Sequence, residues 1–260
     1  MIEIASNIPE TTPNYRVPAL EKGLDILELL AGLAHGLTLK ELAEQLERTS
    51  QEIFRPVSAL VARGYLLRDG AGKYRVSTKL FELGTRHDAT QALIARAMPH
   101  MQSLADGVAE SCHLSILVQD HMLVVARAEC SADVKMVVRV GATFAMHARV
   151  SGRVALAALT PQQQTHYWQQ HPLPPAELAA CQQEVQTIAA QGYAAADSPI
   201  IVGGRDYAAA VKGNGGVLLG VLCLSRLSRV GEPQQGEKYI QAVLNCAQAI
   251  CSEFGLEPLE

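Results

Sequence analysis

A Thr-x-x-Glu word, Thr38 to Glu41, heads the segment "TLKELAEQLE", and after the short turn "ERT" a second helix start opens "TSQEIFRPVSAL". A threonine or serine whose side chain caps the amide three residues on, answered by a Glu that reaches back, satisfies two orphan donors and fixes where a helix begins. Two such starts with only a tight turn between them leave little choice of geometry. The helices must cross rather than run on, and the crossed pair lets the second helix enter a major groove. Leu39, Leu42, Ala43 and Leu46 form the inward face of the first. Thr49 or Ser50 caps the second, with Ile53, Val57, Leu60 and Val61 inward and Gly64 closing it.

Either side of this pair the pattern continues. "ALEKGLDILELLAGL" repeats Leu20, Leu24, Leu27, Leu30 and Ala31 at helical spacing. "YLLRDGAGKYRVS" sets two short extended runs around Asp69-Gly70-Ala71-Gly72, strong hairpin chemistry. Three helices and a hairpin in this order predict a winged helix-turn-helix. Between Arg48 and Lys79 seven basic residues stand against two acidic ones, a local +5 inside a chain of net charge -4. That asymmetry suits a DNA-binding module, although a solvated surface has the same composition. Pro56 complicates the third helix: it removes the bond to the Glu52 carbonyl and costs about 3 kcal/mol in an unsupported interior. The expectation is a kinked helix, or one whose regular part starts near Pro56.

"TKLFELGTRHDATQALIARAM" reads as a linker helix ending at the Met98-Pro99 break, with Pro99 opening the next helix. Beyond it "CHLSILV", "MLVVARA", "VKMVVRV", "YAAAVK" and "VLLGVLCLS" read as strands. "SGRVALAAL", "PAELAACQQEVQTIAAQG" and "EKYIQAVLNCAQAICSEFG" read as helices. The fold class is α+β: residues 16–78 form the winged helix-turn-helix, 79–98 the linker helix, and 99–260 a domain with a mostly antiparallel sheet and one pocket.

Six scattered cysteines without a C-x-x-C pair read as reduced thiols, and the histidines His147, His166 and His171 lack the flanking ligands of a zinc site. No metal or cofactor is expected. "MIEIASNIPETTPNYR" has no basic and apolar leader, and no apolar run approaches a membrane span, so a cytoplasmic protein without membrane contact is expected.

These words in this order resemble the isocitrate lyase regulator (IclR) family of bacterial transcription factors, from about Val17 to Gly255. "VPALEKGLDILELL", "LTLKELAEQL", "IFRPVSALVARGYL" and "GKYRVSTKLFELG" are similar to the family's opening helix, second helix, recognition helix, and wing with linker. "HLSILVQDHMLVVARAEC", "VRVGATFAMHARVSGRVALAAL" and "LLGVLCLSRLSRVGE" fall at its effector-domain landmarks. The resemblance implies a GAF-like effector-binding domain and a homodimer or homotetramer formed through the N-terminal and linker helices. It also implies operator DNA and a small metabolite as partners.

On that reading Ser50, Gln51, Glu52 and Arg55 are candidate base readers, and Thr38, Arg48, Thr49, Lys73 and Arg75 phosphate contacts. Glu52 reads equally as a helix-dipole partner. Arg63 and Arg68 read equally as phosphate contacts or as plain solvated charges, and Phe54 as packing between helices. The resemblance places the effector against "HARVSGR": His147, Arg149, Val150, Ser151 and Gly152, with the last three supplying an amide cradle for an anion. In "AADSPIIVGGRDYAAAV" one acid of the family's pair remains as Asp197 and Ala196 holds the other place. Asp206 stands where relatives carry a cysteine, and Cys223 and Ser225 stand for a Ser-x-Ser pair. An aspartate there disfavours a bare anion unless Arg149 or Arg205 compensates, which favours a hydroxylated effector, a sugar or sugar acid. Met122, Met136 and Met146 read as core filler. No catalytic motif is present. An effector domain with residual hydrolase or isomerase chemistry, or a winged helix serving protein contacts, are the alternatives.

Overall fold

The computed structural model describes residues 17–84, 88–229 and 236–255. The chain divides into two compact units, residues 1–87 and 88–260. Residues 85–87, inside the expected linker, lie outside the described residues.

The first unit holds α1 (Pro18–Ala31), α2 (Leu39–Gln45), α3 (Ser50–Ala62), the two-stranded wing β1 (Leu66–Arg68) and β2 (Tyr74–Val76), and the short α4 (Lys79–Gly84). Both expected caps are formed. Thr38 accepts from the Glu41 amide and Glu41 from the Thr38 amide, and Thr49 and Glu52 repeat the arrangement. Glu47, with φ of 52°, turns the chain between α2 and α3. The wing turn is tied by Asp69, whose Oδ1 accepts from the amides of Ala71 and Lys73, both at 2.9 Å. Leu37 and Tyr74 exchange two backbone bonds, which fastens the wing to the α1–α2 segment. Ile26, Leu30, Leu42, Ile53, Val57 and Leu66 close the core.

The helix α3 is helical from Ser50 onward, so its regular part does not wait for Pro56. Ile53 and Val57 are buried on either side of the proline and hold both halves against α1 and α2. That burial offsets the single missing hydrogen bond.

The second unit holds α5 (Asp88–Val108), β3 (Ser111–Val118), β4 (His121–Ala128), β5 (Thr143–Ala145), α6 (Val150–Ala158), α7 (Pro161–Gln170), α8 (Pro175–Gln191), β6 (Tyr193–Asp197), β7 (Gly204–Lys212), β8 (Leu218–Leu227) and α9 (Gly236–Ser252). Six antiparallel strands form one sheet in the order β5-β4-β3-β8-β7-β6. Helices α5 and α9 cover one face, where Met101, Leu114, Leu222, Leu224 and Ile250 are buried. The other face packs α6 and α8 through Val154, Leu156, Val185, Ile188 and Val221. A bulge at Val125, where Leu114 pairs with Ala126 but Ser115 with Val124, switches β4 between those two cores.

Two expectations fail here for identifiable reasons. The helix boundary at Pro99 does not exist, because α5 runs through it. Leu93, Ala97, Met101, Leu104 and Ala105 make one buried stripe spanning the proline, and burying it outweighs the lost bond. The run "VKMVVRV" is not a strand. Val134, Lys135, Val137, Arg139 and Val140 are all exposed and Met136 alone is buried, so the run lacks the alternate burial of a strand face.

Candidate functional site

The first candidate surface is the outward side of α3. Ser50, Gln51, Phe54, Arg55 and Ser58 are all exposed there, while the inward side is consumed by the core. The wing adds Lys73 and Arg75. Arg55, Lys73 and Arg75 form no ion pair among the described residues, so each is available to an outside anion.

Other expected contacts are already engaged. Glu52 accepts from the Thr49 amide at 3.0 Å and hydroxyl at 2.9 Å, and its other oxygen takes a 3.2 Å bond from Lys22 on α1. The Thr49 amide above all, then its hydroxyl and Lys22, hold the Glu52 carboxyl down at about 2. It is an ionised cap that braces α3 on α1. Arg48 donates to Asp25 of α1 at 2.8 Å, and Thr38 and Thr49 spend their oxygens as caps. Arg68 lies over the Tyr74 ring at 5.6 Å. Phe54 departs from expectation: it does not pack between helices but stands 55% exposed among the polar side chains of the outer face.

The second candidate is a cavity of about 60 Å³ inside the second unit. Strand pairing explains its polar wall. His113 lies opposite Cys223, and Ser225 opposite both Ser111 and Asp206, so side chains from β3, β8 and β7 meet on one face. Arg149 and Ser151 at the start of α6 add to the lining, and Met136, Val137, Val138, Ser198, Ile200 and Ile201 come from two loops.

Asp206 is buried and accepts from the Ser225 hydroxyl at 2.7 Å. Burial pushes its pKa up, and the Ser225 bond and the Arg149 charge only partly counter it. His113 is also buried; burial, then the Arg149 charge, take its pKa down to about 4, so the ring is neutral at pH 7. The Cys223 thiol is raised well above its ordinary value by burial and then by Asp206, which leaves no thiolate nucleophile. Arg149, stacked over Phe144 at 4.4 Å, is the cationic member of the lining.

Of the expected effector contacts, Arg149, Ser151, Asp206, Cys223 and Ser225 come together around the cavity. Val150 and Gly152 are buried beside it in the first turn of α6. His147 and Asp197 do not line it. The His147 Nδ1 is 2.7 Å from the Tyr167 hydroxyl, in a cluster where Tyr167 stacks on His171 and His171 meets Asp120 at 2.6 Å. Asp197 is exposed and pairs with Arg205 across β6 and β7 at 2.7 Å. Arg205 and Asp206 therefore do not form a surface pair: as neighbours on a strand they point to opposite faces. Met136 lines the cavity, whereas Met122 and Met146 are core.

Sequence reading missed His113, Ser198 and the loop side chains. A signal for His113 exists in β3, where Ser111, His113 and Ser115 alternate with Cys112 and Leu114, a polar face in a strand buried on both sides.

Comparison with known proteins gives two matching family models: the Bacterial transcriptional regulator IclR C-terminal over residues 88–252, and the IclR helix-turn-helix domain over residues 19–70. The Glycerol operon regulatory protein of Streptomyces coelicolor is 26% identical over 249 residues, 92% of this chain and 97% of that protein. The HTH-type transcriptional regulator BhcR of Paracoccus denitrificans is 31% identical over 146 residues, 56% of this chain and about half, 52%, of that protein. An IclR homologue from Microbacterium hydrocarbonoxydans, solved with 4-hydroxybenzoate, matches with a TM-score of 0.76 at 24% identity, covering 91% of this chain and 98% of its own. At that identity the likeness establishes the fold.

Proposed function

Because the chain belongs to the IclR family of bacterial transcriptional regulators, we propose that its α3 and wing grip operator DNA in the way the free side chains suggest, under control of a small hydroxylated carboxylic acid held by Arg149 and Asp206. Gln51 and Arg55 address base edges, suited to adenine and guanine respectively. Lys73 and Arg75 hold phosphates and fix register. The observation behind this division is that Arg48 and Glu52 already pair with residues of α1, whereas Arg55, Lys73 and Arg75 form no ion pair among the described residues, Lys73 acting on Glu41 only through its charge.

In the cavity an effector carboxylate would lie by Arg149 and the first-turn amides of α6, which no side chain caps. Its hydroxyl would donate to Asp206 or to the Ser225 oxygen, or accept from Ser151. A cavity of about 60 Å³ is small, which favours the short end of the sugar acids, three or four carbons, over the benzoate ring carried by the Microbacterium relative. We read the protein as non-catalytic, cytoplasmic and acting as a homo-oligomer. Among the described residues no helix is long and apolar enough to cross a membrane.

Two measurements test this. Gel retardation of the upstream DNA of its own gene should be strong at low salt and fall steeply between 50 and 200 mM, as counterions are taken back up by released phosphates. No retardation at low salt would end the DNA reading. Thermal-shift titration with glycerate, threonate, gluconate and 4-hydroxybenzoate should rank the short acids first. Asp206→Asn should weaken their binding by about tenfold or more, the value of a hydrogen bond to a charged acceptor. Stabilisation by 4-hydroxybenzoate alone would refute the proposed cavity chemistry.

A further inference from the structure

Phe54 is the one large apolar side chain on the outer face of α3. The buried neighbours Ile53 and Val57 fix the helix rotation, so Phe54 cannot turn inward without exposing them. Spacings of three and four residues set it on the same stripe as Ser50, Gln51 and Ser58, with Arg55 beside it. An aromatic ring left half in water forgoes hydrophobic burial, which a contact from outside would recover. The rest of the stripe is polar or basic and suits DNA rather than an apolar protein surface.

On a major-groove floor the bulky apolar group is the C5-methyl of thymine; cytosine carries only a hydrogen at that place, and the remaining recognition groups are hydrogen-bond donors and acceptors. We propose that Phe54 is a specificity-determining residue that reads thymine by packing on its methyl group, between the bases addressed by Gln51 and Arg55. This rests on the DNA-binding reading above. It assigns the sequence preference of this regulator partly to an apolar contact. Each half-site should then contain at least one thymine that matters for its methyl rather than its hydrogen bonds.

The test uses the full chain. Duplexes selected from a random pool are resynthesised with each thymine in turn replaced by deoxyuridine, which removes the methyl and nothing else, and compared by competition gel shift. One thymine per half-site should cost about fourfold on losing its methyl, the value of one buried carbon. Phe54→Ala should bind thymine and deoxyuridine alike at that position, while Phe54→Leu keeps part of the difference. Because the side chain is outside the core, both variants should unfold at the wild-type temperature. A Phe54→Ala protein with undiminished methyl sensitivity overturns the proposal, as does a wild type indifferent to every thymine methyl. A Phe54→Ala protein that changes oligomeric state with its methyl sensitivity intact would likewise overturn it, placing the ring against a second copy. A chain that retards no duplex at low salt removes the DNA reading itself, a distinct failure.

Discussion

Gly152→Ala is expected to lower the unfolding temperature of the effector domain by about 6–12 °C and to abolish effector stabilisation, with the DNA-binding unit melting as before. On helix propensity alone the change should help, since alanine is favoured over glycine in a helix by about 1 kcal/mol. Geometry reverses the sign. A Cβ at this position would lie 2.2 Å from the Met146 carbonyl oxygen and 2.7 Å from its carbonyl carbon and Cα. Those are backbone atoms, so no rotamer change relieves the clash; the turn Met146–Ala148 must move off α6. Met146 is itself in the core, and the His147 carbonyl accepts from Arg153 at 3.0 Å, so the shift disturbs packing and a bond together. Overpacking a well-filled site costs about 1–3 kcal/mol, and a backbone clash stands at the upper end, which for a unit of this size gives the stated range. The same shift displaces Arg149 and Ser151 from the cavity. Calorimetry of the full chain would show it as one lowered transition and one unchanged; an unaltered profile would mean that α6 and the turn separate at no cost.

The N-terminal unit was legible because its instructions are local. Thr38 with Glu41, Thr49 with Glu52, and the Asp69 turn each act within a few residues, and each does in the structure what its chemistry dictates. What sequence could not supply was the partner across space. Lys22 and Asp25 lie on α1, far along the chain from Glu52 and Arg48, and only packing shows that those two expected DNA contacts brace the helix bundle. Phe54 was misjudged because an aromatic is usually buried, and the rotation of α3 follows from Ile53 and Val57 rather than from Phe54 itself. The α+β class of the second unit followed from its mix of apolar runs and amphipathic helices. Its strand order did not, since β3 pairs with β8 from the far end of the chain. The cavity was legible where a polar residue interrupted an apolar pattern, as at Asp206 and Ser225. It was illegible where loops supplied apolar side chains, as at Met136 and Ile200, because a loop has no periodicity to betray its inward positions.

Acidification from pH 7 to 4 should remove about 3 kcal/mol of effector-domain stability through His113 alone. The folded pKa of this ring, about 4, lies below its ordinary 6.5 because the ring is buried and Arg149 is near. Below pH 6.5 the unfolded chain therefore takes up a proton that the folded domain refuses, and stability falls with pH until the folded ring also titrates. A gap of about 2.5 units at 1.36 kcal/mol each gives the stated loss. Asp206 acts in the opposite direction. Its folded pKa is raised above 3.8, so the folded domain accepts its proton first, and stability is recovered as pH falls through that window. His113→Gln should accordingly flatten the decline between pH 6.5 and 4, whereas Asp206→Asn should raise stability at neutral pH and steepen the net acid loss by removing the recovery. Urea titrations at a series of pH values read both slopes; a His113→Gln profile parallel to wild type would show that the ring is not the group responsible. The linkage reaches the ligand as well. An effector carboxylate beside Arg149 stabilises positive charge in the same cavity, so it should lift the His113 pKa and stabilise the domain more as pH falls through the His113 window, whereas a neutral polyol of equal size should add the same stability across that window.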